Sequence, residues 1–532
     1  MIEFDPTLVH EWLSRSARRF PEKTALICGQ QRWTYKALDR HANHLALALL
    51  DAGLQRQDRV VVFLDNSSET VISLYGILKA GGVFVILNGS LKSTKLNYIL
   101  KNSGARFLIT HTGKAKVVSE ALDDEQTDCK TIWVGENTRL PENLLQFSLY
   151  WEHVFSNLDE RMADLDNQRN GRLPSYIDVD LATLIYTSGS TGEPKGVMST
   201  HHNMISAARS IIQYIGNVED DIILDVLPLS FDYGLYQVIM AFMFGGTIVL
   251  EKSFLYLHSL LQRIAQEKVT GFPIVPTIVA MLLKLQSIDK YDFSTLRYMT
   301  NTGAALPVEH INRIRSLFPN VTMISMFGLT ECKRVCYLPP EELDRRPSSV
   351  GKAMPNCEVF VVDEHGKEVA PDQTGELIIR GSNVMQGYWK DAEMTTKAYH
   401  EGPYPAGRIL YSGDYFRRDE DGFLYFLGRK DDMIKSKGER ISAKEVENYI
   451  CCMEGVSEAA VIGVPDEIFG QAIKAFIVAA SETTLTEKQV MKYCTEKMES
   501  FMVPKYVEFM DSLPKTPNGK INKKQLKAME VK

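Results

Sequence analysis

From Tyr35 onward, stretches with helical spacing alternate with short apolar runs: an amphipathic Tyr35 to Leu54, then Val60 to Leu64, Glu69 to Ala80 and Val83 to Leu87. Each apolar run is strand-sized, and each amphipathic stretch is long enough to carry the chain back across a sheet. Such strand-helix-strand units are right-handed and build parallel sheets covered by helices, so the first part of the chain is expected to be α/β. At 532 residues the chain also exceeds what one hydrophobic core holds, and two or more domains are expected. The segment Asn157 to Asp180 is polar and lacks a sustained apolar period, so it is expected to be a surface loop.

The texture changes beyond Arg380, where Gly381, Gly387, Gly402, Gly407, Gly413, Gly422 and Gly428 punctuate short aromatic segments. Glycines at that density mark tight turns between small antiparallel strands, so a compact, β-barrel-like subdomain is expected over about 350–428. A charged stretch, Arg429 to Arg440, follows. Val446, Tyr449, Ile450 and Met453 then recur at helical spacing from about Ala443, ahead of apolar runs at Ala459 to Val464 and Ala472 to Val478. Thr486 and Gln489 form a capping box that opens one more helix. Residues 430–532 therefore read as a small α+β domain of independent size behind a large domain spanning 1–429.

Tyr186-Thr-Ser-Gly-Ser-Thr-Gly-Glu-Pro-Lys-Gly-Val-Met198 follows the apolar run Leu181 to Ile185 and reads as a phosphate cradle. Gly189, Gly192 and Gly196 allow the backbone close to an anion, the hydroxyls of Thr187, Ser188, Ser190 and Thr191 can donate to it, and Lys195 adds charge. The Walker pattern does not fit, because two residues separate Gly192 from Lys195 and Gly196 stands where Ser or Thr is required. A merely flexible Gly/Ser loop accounts for the small residues but not for the apolar run before them or the Pro-Lys-Gly after them.

Composition narrows the partners. The net charge of -7 is spread along the chain without a basic block, which disfavours nucleic acid and anionic membrane surfaces. No apolar run approaches a bilayer span, and Met-Ile-Glu-Phe-Asp-Pro carries no signal-peptide pattern, so a cytoplasmic location is expected. Eight scattered cysteines do not form a secreted disulfide framework. Cys332 and Cys336 are spaced like half a metal site, but neither a second pair nor a nearby histidine completes one.

Taken with Leu78-Lys-Ala-Gly-Gly82, Leu227-Pro-Leu-Ser-Phe-Asp-Tyr-Gly234, Asn301-Thr-Gly-Ala304, Met326-Phe-Gly-Leu-Thr-Glu331, Tyr411-Ser-Gly-Asp414, Gly428-Arg-Lys-Asp431 and Pro514-Lys-Thr-Pro-Asn-Gly-Lys520, the cradle resembles the signature of the AMP-forming adenylating superfamily. That family contains acyl-CoA synthetases, amino-acid adenylation domains and firefly luciferase, and the resemblance covers nearly the whole chain. It implies ATP and Mg²⁺ as cofactors and activation of a carboxylic acid as its acyl-AMP. It further implies that Lys195 and Thr187 with the loop amides steady pyrophosphate, that Glu331 binds Mg²⁺, and that Lys520 bridges the carboxylate and the α-phosphate. Asn301, Thr302, Gly303 and Ala304 would line the adenine slot, with Met326, Phe327, Gly328 and Thr330 beside it and the Phe327 ring stacked on the base. Asp414, which can accept two hydrogen bonds, and Arg429 would hold the ribose. Asp431 falls at the hinge about which a mobile C-terminal domain would rotate, the loop around Gly438 replacing Lys520 when a pantetheine thiol enters.

The acid is the open question. Amino-acid adenylation domains carry Phe-Asp where this chain has Phe231-Asp232, and a buried carboxylate without a partner is costly, so Asp232 predicts a cationic ligand such as an α-ammonium. The bland reading is an aspartate turned outward before Gly234. Tyr233, Tyr236, Thr300, Thr302, Met326, Arg334 and Val335 match the remaining pocket positions by motif offset, and Arg334 is unusual for an amino-acid site. The pattern resembles stand-alone ligases that load proline onto a carrier protein, and also acyl-CoA ligases sharing Ser-Phe-Asp-Tyr-Gly. Asn88-Gly89 departs from the Asp-Pro of many adenylation domains. With no carrier domain in the sequence, the thiol is expected on a separate phosphopantetheinylated carrier protein, or on CoA. An amino acid, proline first, is thus the expected substrate and a small carboxylic acid the alternative. A catalytically silent binding protein on this scaffold is disfavoured because Lys195, Glu331, Asp414, Arg429 and Lys520 are all retained.

Overall fold

A computed structural model describes residues 5–122, 129–136, 140–145, 148–156, 175–188, 193–285, 288, 290–303, 306–402, 407–430, 433–436, 439–466, 470–480, 485–516 and 520–530. The expected α/β alternation is present: helix Tyr35–Asp51, strand Arg59–Phe63, helix Ser68–Lys79 and strand Val83–Ile86 follow one another. Thr34 and Ser67 start the two helices by accepting the backbone N–H groups of Ala37 and Thr70. Helix Ser68–Lys79 is buried along nearly its whole length and Tyr35–Asp51 along one face, so the packing of apolar faces rather than propensity fixes them.

Among the described residues the strands form four sheets. A seven-stranded sheet has the order Ser148–Tyr150, Lys130–Val134, Ala105–His111, Arg59–Phe63, Val83–Ile86, Leu181–Ser188, Pro194–Thr200. It is parallel except for the last strand, which returns antiparallel to Leu181–Ser188. The second sheet has nine strands, with a parallel centre running from Thr322–Phe327 through Tyr298–Asn301, Gly271–Ile274, Ile222–Asp225 and Thr247–Leu250 to Thr24–Cys28. Helix Asp232–Phe244 is buried along nearly its whole length, and Tyr236 and Phe242 join a cluster with Leu45, Tyr75 and Ile86.

The glycine-rich region forms an antiparallel sheet of Cys357–Val362, Thr374–Gly381, Arg408–Arg418, Tyr399–Glu401 and Leu424–Arg429. The last sheet pairs Val456–Asp466 with Gly470–Ala479 and adds Tyr506–Phe509 in parallel, with helix Ala443–Cys451 packed on it. Its two clusters, around Ile434, Val461 and Ile477 and around Ala460, Phe476 and Leu526, draw on residues from 434 onward. Thr486 caps helix Glu487–Lys497 with the reciprocal Gln489 contact that the sequence announces. The expected loop at Asn157 to Asp180 lies outside the described residues except from 175 on, where Arg56 pairs with Asp180 at 2.6 Å.

Candidate functional site

The site gathers at the carboxyl ends of the parallel strands, where the two large sheets, the antiparallel sheet and the C-terminal segment meet. Thr187 stands opposite Lys195 in the register of the cradle hairpin. Gly189, Ser190, Thr191 and Gly192 lie outside the described residues, as do Ala304, Asp431 and Gly438, and of Ser188 the backbone alone is described. The hairpin is laced to residues 385–389: Gln386 N–H donates to Met198, Met198 N–H to Gly387, and Trp389 N–H to Gly196. The next turn of this lacing carries Tyr388, whose ring centroid lies 5.8 Å from Lys195 Nζ and whose hydroxyl donates to Glu331 Oε1 at 2.7 Å. Cradle lysine and candidate metal ligand are therefore linked through one tyrosine. Sequence reasoning missed Tyr388, although Gly387-Tyr-Trp389 is an aromatic pair placed directly after a glycine.

Asp414, on Arg408–Arg418, faces Arg429 across the antiparallel ladder. Arg429 Nε donates to its Oδ1 at 3.0 Å. Burial pushes the Asp414 carboxyl up to about 6, against the opposing pull of Arg429. The Thr516 N–H donates to the Lys520 carbonyl, and the Lys520 N–H donates to the Thr516 hydroxyl. Lys520 as a residue is exposed, but its ammonium end lies among other groups, 5.7 Å from the Phe231 ring centroid. Gly303 faces it with φ at 86°, a conformation that favours glycine, although a Cβ there would make ordinary contact with Lys520 Cε at 3.6 Å. Burial depresses the Lys520 pKa below the ordinary lysine value, Arg429 adds to that, and Asp232, Asp414 and Glu331 oppose it.

Around Asp232 the structure departs from expectation. Asp232 is buried, at the first turn of helix Asp232–Phe244, but the cation it calls for is supplied by the chain itself. Lys333 Nζ lies 3.7 Å from Asp232 Oδ2 and donates to the Asp232 backbone carbonyl at 2.6 Å. Lys333 is fully buried, its ammonium 4.4 Å from the Tyr236 ring centroid, and burial pulls its pKa down to about 7 with Asp232 opposing. The premise of an unpartnered aspartate awaiting an α-ammonium is thereby corrected. Lys333 reaches this position because its φ is 64° and its carbonyl tucks against Gly328, where a Cβ would lie 2.3 Å away. Asn383, also buried and also missed, donates to the carbonyls of Cys332 and Arg334 and holds the turn.

Arg334 follows into the same interior, donating to the Thr302 hydroxyl with its guanidinium 5.3 Å from the Tyr233 ring centroid. Tyr233 donates to the Thr300 carbonyl at 2.7 Å and contacts the Thr300 hydroxyl at 2.6 Å, while Met326 Sδ accepts from Tyr214 at 2.8 Å. Thus Asp232, Tyr233, Tyr236, Thr300, Thr302, Met326 and Arg334 form one wall. Val335 does not join it: the chain turns it into the cluster of Val197, Leu377 and Ile379. Phe327 stacks on Phe426 at 5.7 Å and stands edge-on to Phe416 at 5.0 Å, and it stays partly exposed. Asn301 is buried and Thr330 half-buried beside Glu331. Cys332 and Cys336 are core residues, and no group of three metal-ligating side chains occurs among the described residues.

A hard cation still fits. Glu331 gives one oxygen to Tyr388, and a magnesium ion typically takes one or two protein carboxylates and completes its shell with phosphate and water.

Known proteins resemble this chain in sequence and in fold. Residues 13–389 match the AMP-binding enzyme model and residues 445–520 the AMP-binding enzyme C-terminal domain model. The chain is 31% identical to a long-chain-fatty-acid–CoA ligase of Bacillus subtilis (strain 168), over 97% of this chain and 93% of that protein. It is 29% identical to tyrocidine synthase 1 of Brevibacillus parabrevis, over 97% of this chain but 44% of that longer protein. The crystal structure of the anthranilate CoA ligase AuaEII in complex with anthranoyl-AMP superposes with a TM-score of 0.89 at 27% identity, covering 99% of this chain and 98% of that one. The chain belongs to the AMP-binding enzyme family and is, by class, an AMP-forming acid–thiol ligase.

Proposed function

We propose that this protein activates a small carboxylic acid with ATP and passes the acyl group to a phosphopantetheine thiol. A carboxylate is a poor electrophile, and ATP repels it. Lys195 and Thr187 on the hairpin would hold the departing pyrophosphate, and Lys520 would neutralise the attacking carboxylate and the α-phosphate as they meet. Asp414 and Arg429 would take the ribose, and Asn301, Thr302 and Gly303 would border the base. Magnesium held through Glu331 would supply charge neutralisation at the phosphates. Attack of carboxylate oxygen on the α-phosphorus breaks the bond to pyrophosphate and leaves acyl-AMP. Attack of the thiol, with loss of its proton, then expels AMP and forms the thioester. Rotation of a domain beginning near 430, hinged at Asp431, would exchange Lys520 for the thiol between the two steps.

The observation that carries this reading is Tyr388, which links the cradle lysine Lys195 to the candidate metal ligand Glu331. The internal Lys333 partner of Asp232 favours an acid without an α-ammonium. The second reading, an amino acid and proline first, rests on the Phe231-Asp232 motif and requires the substrate to displace Lys333. Exchange of labelled pyrophosphate into ATP, run with simple acids and amino acids, decides between them. Dominant proline exchange would reverse the preference, and no exchange with any acid would sink the adenylation reading. Turnover with free CoA against a phosphopantetheinylated carrier protein identifies the acceptor.

A further inference from the structure

The acyl wall contains one more cation than its acids can answer. Asp232 is engaged with Lys333. The other nearby acid, Asp225, is fully buried, receives the Leu227 N–H at 3.1 Å, and is pushed by burial well toward its neutral form. Arg334 is 2% exposed, so its guanidinium is withdrawn from water while remaining charged. It has the Thr302 hydroxyl as a neutral partner, Tyr233 as a ring beneath it, and no carboxylate ion pair among the described residues. Its Nε is buried without a hydrogen-bond partner, as is the hydroxyl of Tyr236, a fully buried neighbour on the same wall. Cation–π contact offsets only part of the desolvation of a guanidinium, and a planar fork of donors matches a carboxylate.

The spacing limits the ligand. Thr302, which touches Arg334, and Gly303, which faces Lys520, are consecutive residues, with Cα atoms about 3.8 Å apart. A carboxylate at Lys520 and a second group at Arg334 can therefore belong to one short molecule. Resting on the adenylation reading above, we propose that the substrate is a short dicarboxylic acid without an α-ammonium. One carboxylate reacts beside Lys520 and the other is held by Arg334 and Tyr236. Lys333 is then a positioning residue that neutralises Asp232, so that Arg334 meets the distal carboxylate without competition from it.

The test is pyrophosphate exchange with malonate, succinate and glutarate against propionate, butyrate, benzoate, aspartate and proline, for the wild type and for Arg334→Met and Arg334→Lys. The wild type is expected to prefer one diacid over its monoacid analogue by about thirtyfold or more. Arg334→Met should invert that ratio, and Arg334→Lys should recover part of it. Protection against thermal unfolding by succinate over butyrate, lost in Arg334→Met, reads binding independently of turnover. A wild type that uses monoacids or proline at least as well as every diacid overturns the diacid inference and leaves adenylation standing. Diacid protection against unfolding without exchange from any acid would instead support the pocket and sink the adenylation reading.

Discussion

Two buried aspartates, Asp232 and Asp414, each stand beside a cation, and their partners differ in one respect. Arg429, the partner of Asp414, leaves 58% of its side chain exposed, whereas Lys333, the partner of Asp232, leaves 1%. At the sheet rim the burden of burial falls on the acid, which rises to about 6. In the interior it falls on the base, which drops to about 7. An exposed arginine can move to admit a ribose at little cost, while a lysine sealed against Tyr236 is part of the wall. The rim pair is thus suited to open for a ligand and the interior pair to shape one.

The largest expected effect would break this contrast at the interior. Lys333→Met leaves Asp232 buried without its cation and should cost about 3–5 kcal/mol of stability, read by urea denaturation. Adding Asp232→Asn removes the stranded charge and should restore most of the loss. If the double variant is no more stable than the single one, the pair is not what holds the wall. Next in size is Lys520→Ala, which removes the charge on which both aspartates act. Acyl-AMP formation should fall about 100- to 1,000-fold, while thioester formation from supplied acyl-AMP proceeds. Equal losses in both steps would contradict the assignment of Lys520 to the first alone.

How much of this could be seen in the chain depends on the range of the interactions. Thr486 with Gln489, and Val446 with Ile450, are local, and helices form where their spacing places them. The Asp414–Arg429 pairing was legible because two glycine-punctuated strands put both residues in named motifs. Tyr388 and Lys333 were not, since each meets its partner across a long loop of chain: 57 residues separate Tyr388 from Glu331, and 101 separate Lys333 from Asp232. Val335 was misassigned for a related reason. Motif offset counts residues, whereas the positive φ of Lys333 turns both Lys333 and Arg334 inward and sends Val335 to the other core.

A smaller effect separates the two pairs by pH. Asp414 is ionised in the folded protein only above about 6, so ATP affinity should weaken by up to about tenfold per unit as pH falls below that value. Stability moves the other way: the native state holds this proton more tightly than the unfolded chain. Its contribution therefore declines as pH rises from the usual carboxylate range to about 6. At the interior pair, the native state binds the Lys333 proton less tightly than the unfolded chain, so stability from that group grows as pH rises from about 7 toward the ordinary lysine value. The groups facing Lys333 are Asp232, Arg334 and Asp225, so Asp232→Asn should shift this upper window and leave the lower one in place. An ATP affinity flat between pH 5 and 7 would contradict the role given to Asp414.

The smallest effect isolates the rim. Because the Arg429 guanidinium is exposed, Arg429→Gln should change stability by less than about 1 kcal/mol. Yet Arg429 is the group that most opposes the rise of the Asp414 pKa, so its loss should move the midpoint of the ATP-affinity profile above 6. Affinity measured at pH 8, where Asp414 is ionised in both proteins, separates the lost contact of Arg429 with nucleotide from this indirect effect. A midpoint unchanged by the substitution would mean that Asp414 is governed by burial alone, and the rim pair would then differ from the interior pair in kind rather than in exposure.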